Sequence, residues 1–471
     1  MIKKVFTFCH VFLILSCFEA VSQDGSLDPN FVPNGPLTVR AIQRLNNGQV
    51  VLTYSSGIGG GIRLLNSDGS ETNVQFETPP QQTEYSGNHI KDIIQLLNGK
   101  LLFINSAASK KLCLYNLDGS LDSEFQTNIG TGANLNIRKG LLDADGKIVL
   151  IGDFTTFNDI PKSNIVRLNP NGTIDETFVT TVSNSTIKDI VHNENGGYFI
   201  GGVINGVNGQ YNYTNTVKLT QFGEVDTTFR CYEGGFNQIA MTPDGKLIGL
   251  QGAETGSGAP KIINRYNIDG TEDITLGGYE GNNVVDIHVQ ADGKIIFTGG
   301  FSLYRKFGTT DETPVNGIFR ILPDGTFDTT FDPGSGPDYS IAFSQHCSDG
   351  SIMLGGSFEN FDSQPRVRGA RLINSGIPSE IISTGIEHSI SESTVKVFPN
   401  PFDKSIKISD TTEKKELILK VFSIIGHEVY HGNLMPFEEK TIPTEDWPQG
   451  LYLVSLIEKS GQLLKNQLIT K

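Results

Sequence analysis

Three aspartates that share one repeat position are the residues whose type and spacing could do chemistry. Asp92, Asp189 and Asp286 each lie seven residues before the glycine of an Asn-Gly or Asp-Gly pair. Carboxylates gathered around one opening could hold a cation, because hard cations prefer oxygen ligands. The alternative interpretation is structural, with each carboxylate accepting a hydrogen bond from nearby backbone. The choice between these interpretations depends on the elements that position the three side chains.

Those elements recur along the chain as one phrase, a turn followed by a short segment that ends in an aromatic or apolar residue. The end residues are Phe31, Phe76, Phe125, Phe178, Phe229, Leu276 and Phe331, spaced 45, 49, 53, 51, 47 and 55 residues apart. A period of this length is typical of a four-stranded propeller blade.

A second turn lies midway in each unit, between two apolar runs. Its copies are Asn47-Gly48, Asn98-Gly99, Asp145-Gly146, Asn195-Gly196, Asp244-Gly245, Asp292-Gly293 and Asp349-Gly350. Such pairs favour tight hairpins with a two-residue turn, since glycine adopts a positive φ without steric cost. Each unit is therefore predicted to contain four strands, with Asp92, Asp189 and Asp286 at the start of strand one.

The two ends of the array complement each other. The seventh unit stops near 371–376 without a fourth strand, and residues 26–31 form a fourth strand without a unit. Pairing them would hide two open sheet edges. We therefore predict an all-β fold, a seven-bladed β-propeller over 23–376 closed by an N-terminal strand, followed by a small Ig-like β-sandwich.

The repeated phrase resembles a known family. Residues 24–31 (DGSLDPNF) and 327–336 (FDTTFDPGSG) are similar to the delta-60 repeat, a bacterial β-propeller-like repeat, and the resemblance covers roughly 23–376. It implies a propeller and carries no general enzymatic activity. The first two repeats depart most from the pattern.

The chain's two ends predict export. Lys3 and Lys4 precede an apolar run and small residues before Gln23, which is typical of a cleavable signal peptide over 1–22. Residues 377–394 are polar and lack periodicity, so they are predicted to form a linker. From 395 to 471 a new pattern of short strands begins.

The C-terminal pattern resembles the type A sorting domain of type IX secretion cargo. The matching residues are Pro399, Asn400, Pro401, Gly426, Gly450, Tyr452 and Lys471. The resemblance implies Sec export to the periplasm, then passage to the outer-membrane surface or the medium. It also implies the type IX machinery and its sorting peptidase as partners. An ordinary Ig-like domain is the alternative interpretation.

Binding is predicted on the face that carries the long, variable loops. Tyr211, Tyr213 and Tyr304 lie in those loops and could stack on a glycan or peptide, or only pack the loops. A net charge of −15 disfavours nucleic acid as a partner. We expect a monomer without a transmembrane span.

Two function classes follow, and the first is favoured. The first is a non-catalytic binding or scaffold module, without cofactor or metal. The second is a secreted hydrolase or lyase with its site at the long-loop mouth of the channel. No nucleophile elbow or P-loop is present in the sequence. The three cysteines after residue 22, Cys113, Cys231 and Cys347, fall in different repeats and predict neither a disulfide framework nor a zinc site.

Overall fold

The structure, a computed structural model, describes most of the chain from residue 23 onward. The described ranges are 23–33, 38–56, 59–77, 90–105, 111–182, 185–193, 196–209, 215–231, 235–251, 261–276, 279–281, 283–306, 312–379, 395–398, 404–410, 417–423, 428–435, 439–447, 451–458 and 463–470. The predicted signal peptide, and the predicted linker beyond Ser379, lie outside these ranges.

The repeat region is almost entirely strand. In chain order its elements are β1 (Thr38–Arg44), β2 (Val50–Ser56), β3 (Gly59–Leu65), β4 (Ile90–Gln95), β5 (Leu101–Asn105), β6 (Leu112–Tyr115), α1 (Ser123–Asn128), β7 (Ile137–Leu142), β8 (Ile148–Gly152), β9 (Thr156–Phe157), β10 (Ile160–Pro161), β11 (Ile165–Leu168), β12 (Thr186–His192), β13 (Tyr198–Val203), β14 (Thr216–Leu219), β15 (Phe236–Met241), β16 (Leu247–Gln251), β17 (Lys261–Tyr266), β18 (Tyr279–Gly281), β19 (Val284–Val289), β20 (Ile295–Gly299), β21 (Leu303–Lys306), β22 (Glu312–Pro314), β23 (Ile318–Ile321), β24 (Ile341–His346), β25 (Ile352–Gly356), β26 (Asn360–Phe361), β27 (Gln364–Pro365) and β28 (Gly369–Leu372).

Among the described residues these strands pair into seven antiparallel sheets of three or more strands, numbered here in chain order, and two separate two-stranded hairpins, β9-β10 and β26-β27. Sheet 1 is β1-β2-β3, sheet 2 is β4-β5-β6, sheet 3 is β7-β8-β11, sheet 4 is β12-β13-β14, sheet 5 begins β15-β16-β17, sheet 6 is β19-β20-β23 and sheet 7 is β24-β25-β28. Sheet 5 is extended by β18 and by the β21-β22 hairpin, which comes from the long loop of sheet 6. The first strand of each sheet contacts the first strand of the next.

The midway turns differ in detail from the prediction. Gly48 has a φ of 86°, but Asn47 does not have a positive φ, so the type I′ turn expected of an Asn-Gly pair is excluded. The amide of Gly48 donates to the carbonyl of Leu45, and the amide of Leu45 donates to the carbonyl of Gln49. This is a type I turn followed by a glycine bulge, which is the three-residue hairpin. One left-handed residue is enough for it, so glycine alone carries the turn.

The predicted fourth strand is shorter than expected. In each unit it reduces to a single bridge, as in Leu168 with Ile174 and Ile321 with Phe327. Chain direction then changes at once, and in the second unit α1 follows directly, capped by Asp122. Six of the seven closing residues are nevertheless buried as core, at most 4% exposed: Phe31, Phe125, Phe178, Phe229, Leu276 and Phe331. The seventh, Phe76, is half-buried.

A recurring ion pair fastens the bridge to strand three in the third, fifth and sixth units. Arg167 binds Asp175 at 2.7 Å, Arg265 binds Asp273 at 2.8 Å and Arg320 binds Asp328 at 2.8 Å, always eight residues apart. In each case the other carboxylate oxygen accepts from the threonine two residues further on. The recurring aspartates thus hold the turn and neutralise a buried arginine at the same time.

The N-terminal segment lies against the last sheet. Leu27 bridges Leu372, the amide of Asp28 donates to the carbonyl of Arg371, and the amide of Ile373 donates to the carbonyl of Ser26. Arg371 binds Asp28 at 2.7 Å and its guanidinium lies 5.3 Å from the centroid of Phe31. The same set of contacts joins Arg320, Asp328 and Phe331 within the sixth unit.

The segment after β28 crosses the hairpin ends of sheets 5 to 7. The carbonyl of Gly376 accepts from His346 and Gln290, and the hydroxyl of Ser379 donates to the carbonyl of Met241. Pro378 is buried and bridges Gln290. The start of the predicted linker is therefore packed on the repeat region.

The C-terminal region forms two further sheets. Its strands are β29 (Val395–Phe398), β30 (Ser405–Asp410), β31 (Leu417–Ser423), β32 (Glu428–Leu434), β33 (Glu439–Pro443), β34 (Leu451–Glu458) and β35 (Leu463–Thr470). One sheet is β29-β30-β33 and the other is β32-β31-β34-β35. Both contribute to one apolar cluster that includes Ile406, Ile442, Leu419 and Val454. In the described part of the chain, no helix has the length and apolar character needed to cross a membrane.

Candidate functional site

A β-bulge recurs near the start of the first strand in all seven sheets. The register shifts fall between Val39 and Ala41, Ile90 and Asp92, Ile137 and Lys139, Ile187 and Asp189, Phe236 and Gln238, Val284 and Asp286, and Ile341 and Phe343. A bulge inserts one unpaired residue and redirects the side chains beside it. The three predicted aspartates all occupy the position directly after this unpaired residue.

The first strands surround one cavity of about 530 Å³. Every one of the seven sheets contributes to its lining through β1, β4, β7, β12, β15, β19 or β24. Lys91 and Arg138, at bulged positions, are exposed and line it, so the cavity reaches solvent at the bulged ends of the strands. Asp92, Asp189 and Asp286 lie in this lining, so the structure brings the three together around one space.

Each aspartate is engaged by backbone of the following sheet. Asp92 Oδ2 accepts from the amide of Gly140 at 3.3 Å and Asp189 Oδ2 accepts from the amide of Ile239 at 2.9 Å. Asp286 Oδ2 accepts from the amide of Ser344 at 2.9 Å. The bulge breaks the regular ladder there, and the carboxylates pair with amides of the neighbouring first strand. The structural interpretation of these residues thus has direct geometric support.

A lysine from the same repeat position supplies positive charge to the three carboxylates. Lys139 Nζ binds Asp189 Oδ1 at 2.5 Å, and its charge opposes the burial that raises the pKa of Asp92 and Asp286. The described residues contain no group of three or more His, Cys, Asp or Glu side chains arranged to hold a metal ion. A protein ammonium therefore provides the compensation for which the sequence suggested a bound cation.

Burial outweighs that compensation at Asp92 and Asp286. It raises the pKa of Asp92 to about 6, against the lowering effects of Lys139 and the backbone amides. Burial likewise raises the pKa of Asp286. Loss of solvent penalises the charged carboxylate, and the nearest cation offsets only part of that penalty.

Two histidines lie side by side at the hairpin end of the cavity, an arrangement that sequence reasoning missed. The rings of His288 and His346 are 6.1 Å apart, and His288 Nε2 lies 2.7 Å from the hydroxyl of Ser344. Burial lowers the pKa of His288 to about 4 and that of His346 to about 3, so both are neutral at pH 7. His288 and His346 occupy different repeat positions. They are neighbours because the adjacent first strands β19 and β24 are offset along their length.

Acid sensitivity is the expected consequence of the buried histidines. The folded pKa of His288 lies below the ordinary value of about 6.5, so the unfolded chain takes up a proton first as pH falls. The stability that the neutral imidazole contributes is present above pH 6.5 and is lost as pH falls towards 4. The substitution His288→Gln should reduce the loss of unfolding free energy between these pH values by about 1–3 kcal/mol.

Chemical denaturation at a series of pH values measures this effect. Asp92 also titrates in this pH range, and because its folded pKa is raised it changes the unfolding free energy in the opposite direction. Its contribution is the same in parent and variant, so it cancels in the difference between them. An identical pH slope in parent and variant would contradict a neutral, buried His288.

The remaining predicted ligand-binding residues are placed differently. Tyr304 is 7% exposed, and its ring lies 4.8 Å from that of Phe319 and 5.8 Å from that of Phe327. It therefore packs the hairpin of β21 and β22 onto the core and offers little surface for stacking. Tyr211 and Tyr213 lie outside the described residues.

Of the residues that carry the sorting resemblance, the structure describes Tyr452. It is 2% exposed in β34 and its ring lies 4.9 Å from that of Trp447, so it belongs to the core of the C-terminal sheets. Pro399, Asn400, Pro401, Gly426, Gly450 and Lys471 lie outside the described residues.

The three described cysteines, Cys113, Cys231 and Cys347, are buried thiols. Burial raises the pKa of the Cys347 thiol to about 12. A thiol of this kind stays protonated at neutral pH and is a poor nucleophile.

Protein-family models match segments in both the repeat region and the C-terminal region. Residues 144–178 and 290–331 match a β-propeller domain of unknown function, DUF5122. Residues 396–471 match the secretion system C-terminal sorting domain. The first match is consistent with the resemblance to delta-60 repeats. A tail of the second kind directs export by the type IX system, with release or attachment at the cell surface.

Comparison with individual proteins is less informative. No curated protein matches the chain. Among solved structures, the extracellular domain of a one component system from B. thetaiotaomicron is 13% identical, with a TM-score of 0.43, 95% of this chain covered and 59% of that one. PorZ, a surface component of the type IX secretion system of Porphyromonas gingivalis, is 12% identical, with a TM-score of 0.34, 92% covered and 65% of that chain. The chain thus spans less than two thirds of the length of either structure.

Proposed function

We propose that this chain, an exported type IX secretion cargo with DUF5122 β-propeller repeats, is a non-catalytic binding module. In this proposal its seven sheets form a closed ring, and a small extracellular ligand enters the central cavity. The observation that carries the proposal is the cavity of about 530 Å³, to which all seven first strands contribute. Protein cavities of this volume commonly bind small molecules.

The contacts of the N-terminal segment support closure of the ring. Asp28, Phe31 and Arg371 repeat the ion pair and the arginine–aromatic contact of Asp328, Phe331 and Arg320. A junction between the two ends of the array thus has the same chemistry as a junction inside one unit. An array that stayed open would leave two edges exposed.

The state of the acidic groups supports binding over catalysis. A catalytic carboxylate needs a free oxygen within reach of the substrate. Here Asp92 and Asp189 accept backbone amide hydrogens on both oxygens. Asp286 Oδ2 accepts from both the amide and the hydroxyl of Ser344, and its Oδ1 accepts from Gln238 Nε2 at 3.4 Å. Their hydrogen bonds join consecutive first strands, which is a role in the scaffold.

An array experiment with a matched pair of variants tests the proposal. Asn237 lines the cavity at the bulged position of sheet 5, so Asn237→Trp should fill part of it and weaken binding of the cavity ligand at least about tenfold. Thr227→Trp adds the same bulk at an exposed turn of sheet 4 and should leave binding unchanged. Purified full-length protein would be applied to arrays of glycans and peptides. The proposal fails if no bound ligand is lost with Asn237→Trp.

A further inference from the structure

The unpaired residue of the recurring bulge is basic in one half of the array and neutral in the other. In sheets 1 to 4 it is Arg40, Lys91, Arg138 and Lys188, and in sheets 5 to 7 it is Asn237, Val285 and Ala342. The backbone requires the bulge in every sheet but not the charge, since the neutral residues form the same bulge. The four cations, called here the basic arc, are therefore not explained by the fold.

The basic arc is continuous and borders the cavity. First strands of sheets 1 to 4 contact each other in sequence, so the four bulged positions follow one another around the opening. Lys91, Arg138 and Lys188 line the cavity itself. Arg40, Lys91 and Arg138 are exposed, and Lys188 is half-buried. A bulge redirects its extra side chain out of the sheet ladder, which here places the charges where a ligand would enter.

Two of the four charges of the arc, those of Lys91 and Lys188, are available to a ligand. Lys91 and Lys188 form no ion pair or hydrogen bond with other described residues, whereas Arg138 binds Asp153 through two nitrogens. The carboxylates of Asp92 and Asp189 lie one residue further along the strand and are engaged by backbone amides. In a chain of net charge −15, a local arc of cations at a concave opening attracts anions selectively.

Amide side chains form a second group of polar residues that a ligand in the cavity would contact. Gln43, Gln95, Asn237, Gln238 and Gln345 also line the cavity. Gln238 Oε1 is buried and makes no hydrogen bond to the described residues. Amides bind hydroxyl groups as donors and acceptors, which suits a sugar ring. Nucleic acid is disfavoured, since a long polyanion would be repelled by the acidic remainder of the protein.

We infer that the basic arc and the cavity amides bind an acidic carbohydrate, with its carboxylate groups on Lys91 and Lys188 and its hydroxyl groups on the amides. This inference rests on the proposed binding function and specifies its ligand class. Contacts between the ligand carboxylates and the lysine ammonium groups at the rim favour negatively charged ligands. Contacts between the ligand hydroxyl groups and the cavity amides favour a sugar ring.

Short oligogalacturonates and their methyl-esterified counterparts are suitable probes, because they differ in charge but not in the sugar ring. Full-length protein should bind the free acids, and increasing salt should weaken binding. The double substitution Lys91→Gln with Lys188→Gln should weaken it at least about tenfold. Lys294→Gln, which removes a charge at the hairpin end of sheet 6, serves as the control and should bind like the parent.

Three outcomes would overturn the inference: equal binding of the esterified probes, equal binding by the double variant, or equal binding of poly-glutamate. The array experiment with Asn237→Trp separates these failures from failure of the proposed function. If Asn237→Trp still abolishes binding of some neutral ligand, the cavity is a binding site and only the acidic class is wrong. Unfolding midpoints equal to the parent value would show that the exposed lysine substitutions leave the fold intact.

Discussion

Replacing Arg320 with methionine should lower the free energy of unfolding by about 3–5 kcal/mol, the usual cost of breaking a buried ion pair from one side. The guanidinium of Arg320 is 1% exposed and binds Asp328 at 2.8 Å, Asp24 at 2.8 Å and Asn374 at 2.7 Å. Methionine would preserve much of the packing volume but leave the Asp328 carboxylate, itself 3% exposed, without its cation.

The effect should exceed that of any isolated repeat contact, because Arg320 joins three parts of the chain. Asp24 belongs to the N-terminal segment, Asp328 to the sixth unit and Asn374 to the end of the seventh. Equilibrium denaturation in urea gives the measurement. Arg305→Met is the control, because Arg305 is 40% exposed and lies 4.0 Å from an exposed glutamate, a pair worth less than about 1 kcal/mol. Equal losses in the two variants would show that the buried network contributes nothing special.

Truncating Phe31 to alanine should cost about 3–5 kcal/mol, the range for a large aromatic side chain removed from a packed core. Phe31 is 0% exposed and belongs to an apolar cluster with Val39 and Val50 of sheet 1 and with Met353 of sheet 7. It therefore fills the space between the first and last sheets. Loss of its ring leaves a cavity at the junction that closes the proposed ring.

The neighbouring residue provides a matched control for Phe31. Val32 is 43% exposed, so Val32→Ala should change the unfolding free energy by no more than about 0.5 kcal/mol. Protease sensitivity of the N-terminal segment is a second measurement, since release of the junction should expose residues 24–31 to cleavage. If Phe31→Ala is as stable as Val32→Ala, the N-terminal segment does not close the array.

Much of the repeat architecture was predictable because the same short sequence pattern recurs in each unit. Glycine at Gly48 and its six equivalents marked every hairpin, although the turn is a three-residue one. The phrase ending at Phe31, Phe125 or Phe331 marked the buried end of each unit. The predicted fourth strand was too long, since a single bridge and an ion pair hold it in place of a ladder.

The candidate site was predictable only in part. Counting residues back from the turn placed Asp92, Asp189 and Asp286 at one repeat position, and the structure gathers them around one cavity. The same count would have found Lys139 at that position and the basic arc one residue earlier. The signal was present, but a β-bulge leaves no mark in the sequence that distinguishes Lys91 from any exposed strand residue.

The sequence by itself determined the period, the turns, the buried end residues and the export tail, because each depends on residues close together in the chain. The tertiary structure decided which residues distant in the chain come together. Examples are the contact of Asp28 with Arg371, the pairing of His288 with His346, and the position of Lys139 among three carboxylates. Those contacts join residues 47 or more positions apart. Only the stacking of whole sheets sets their distances, so no local pattern could specify them.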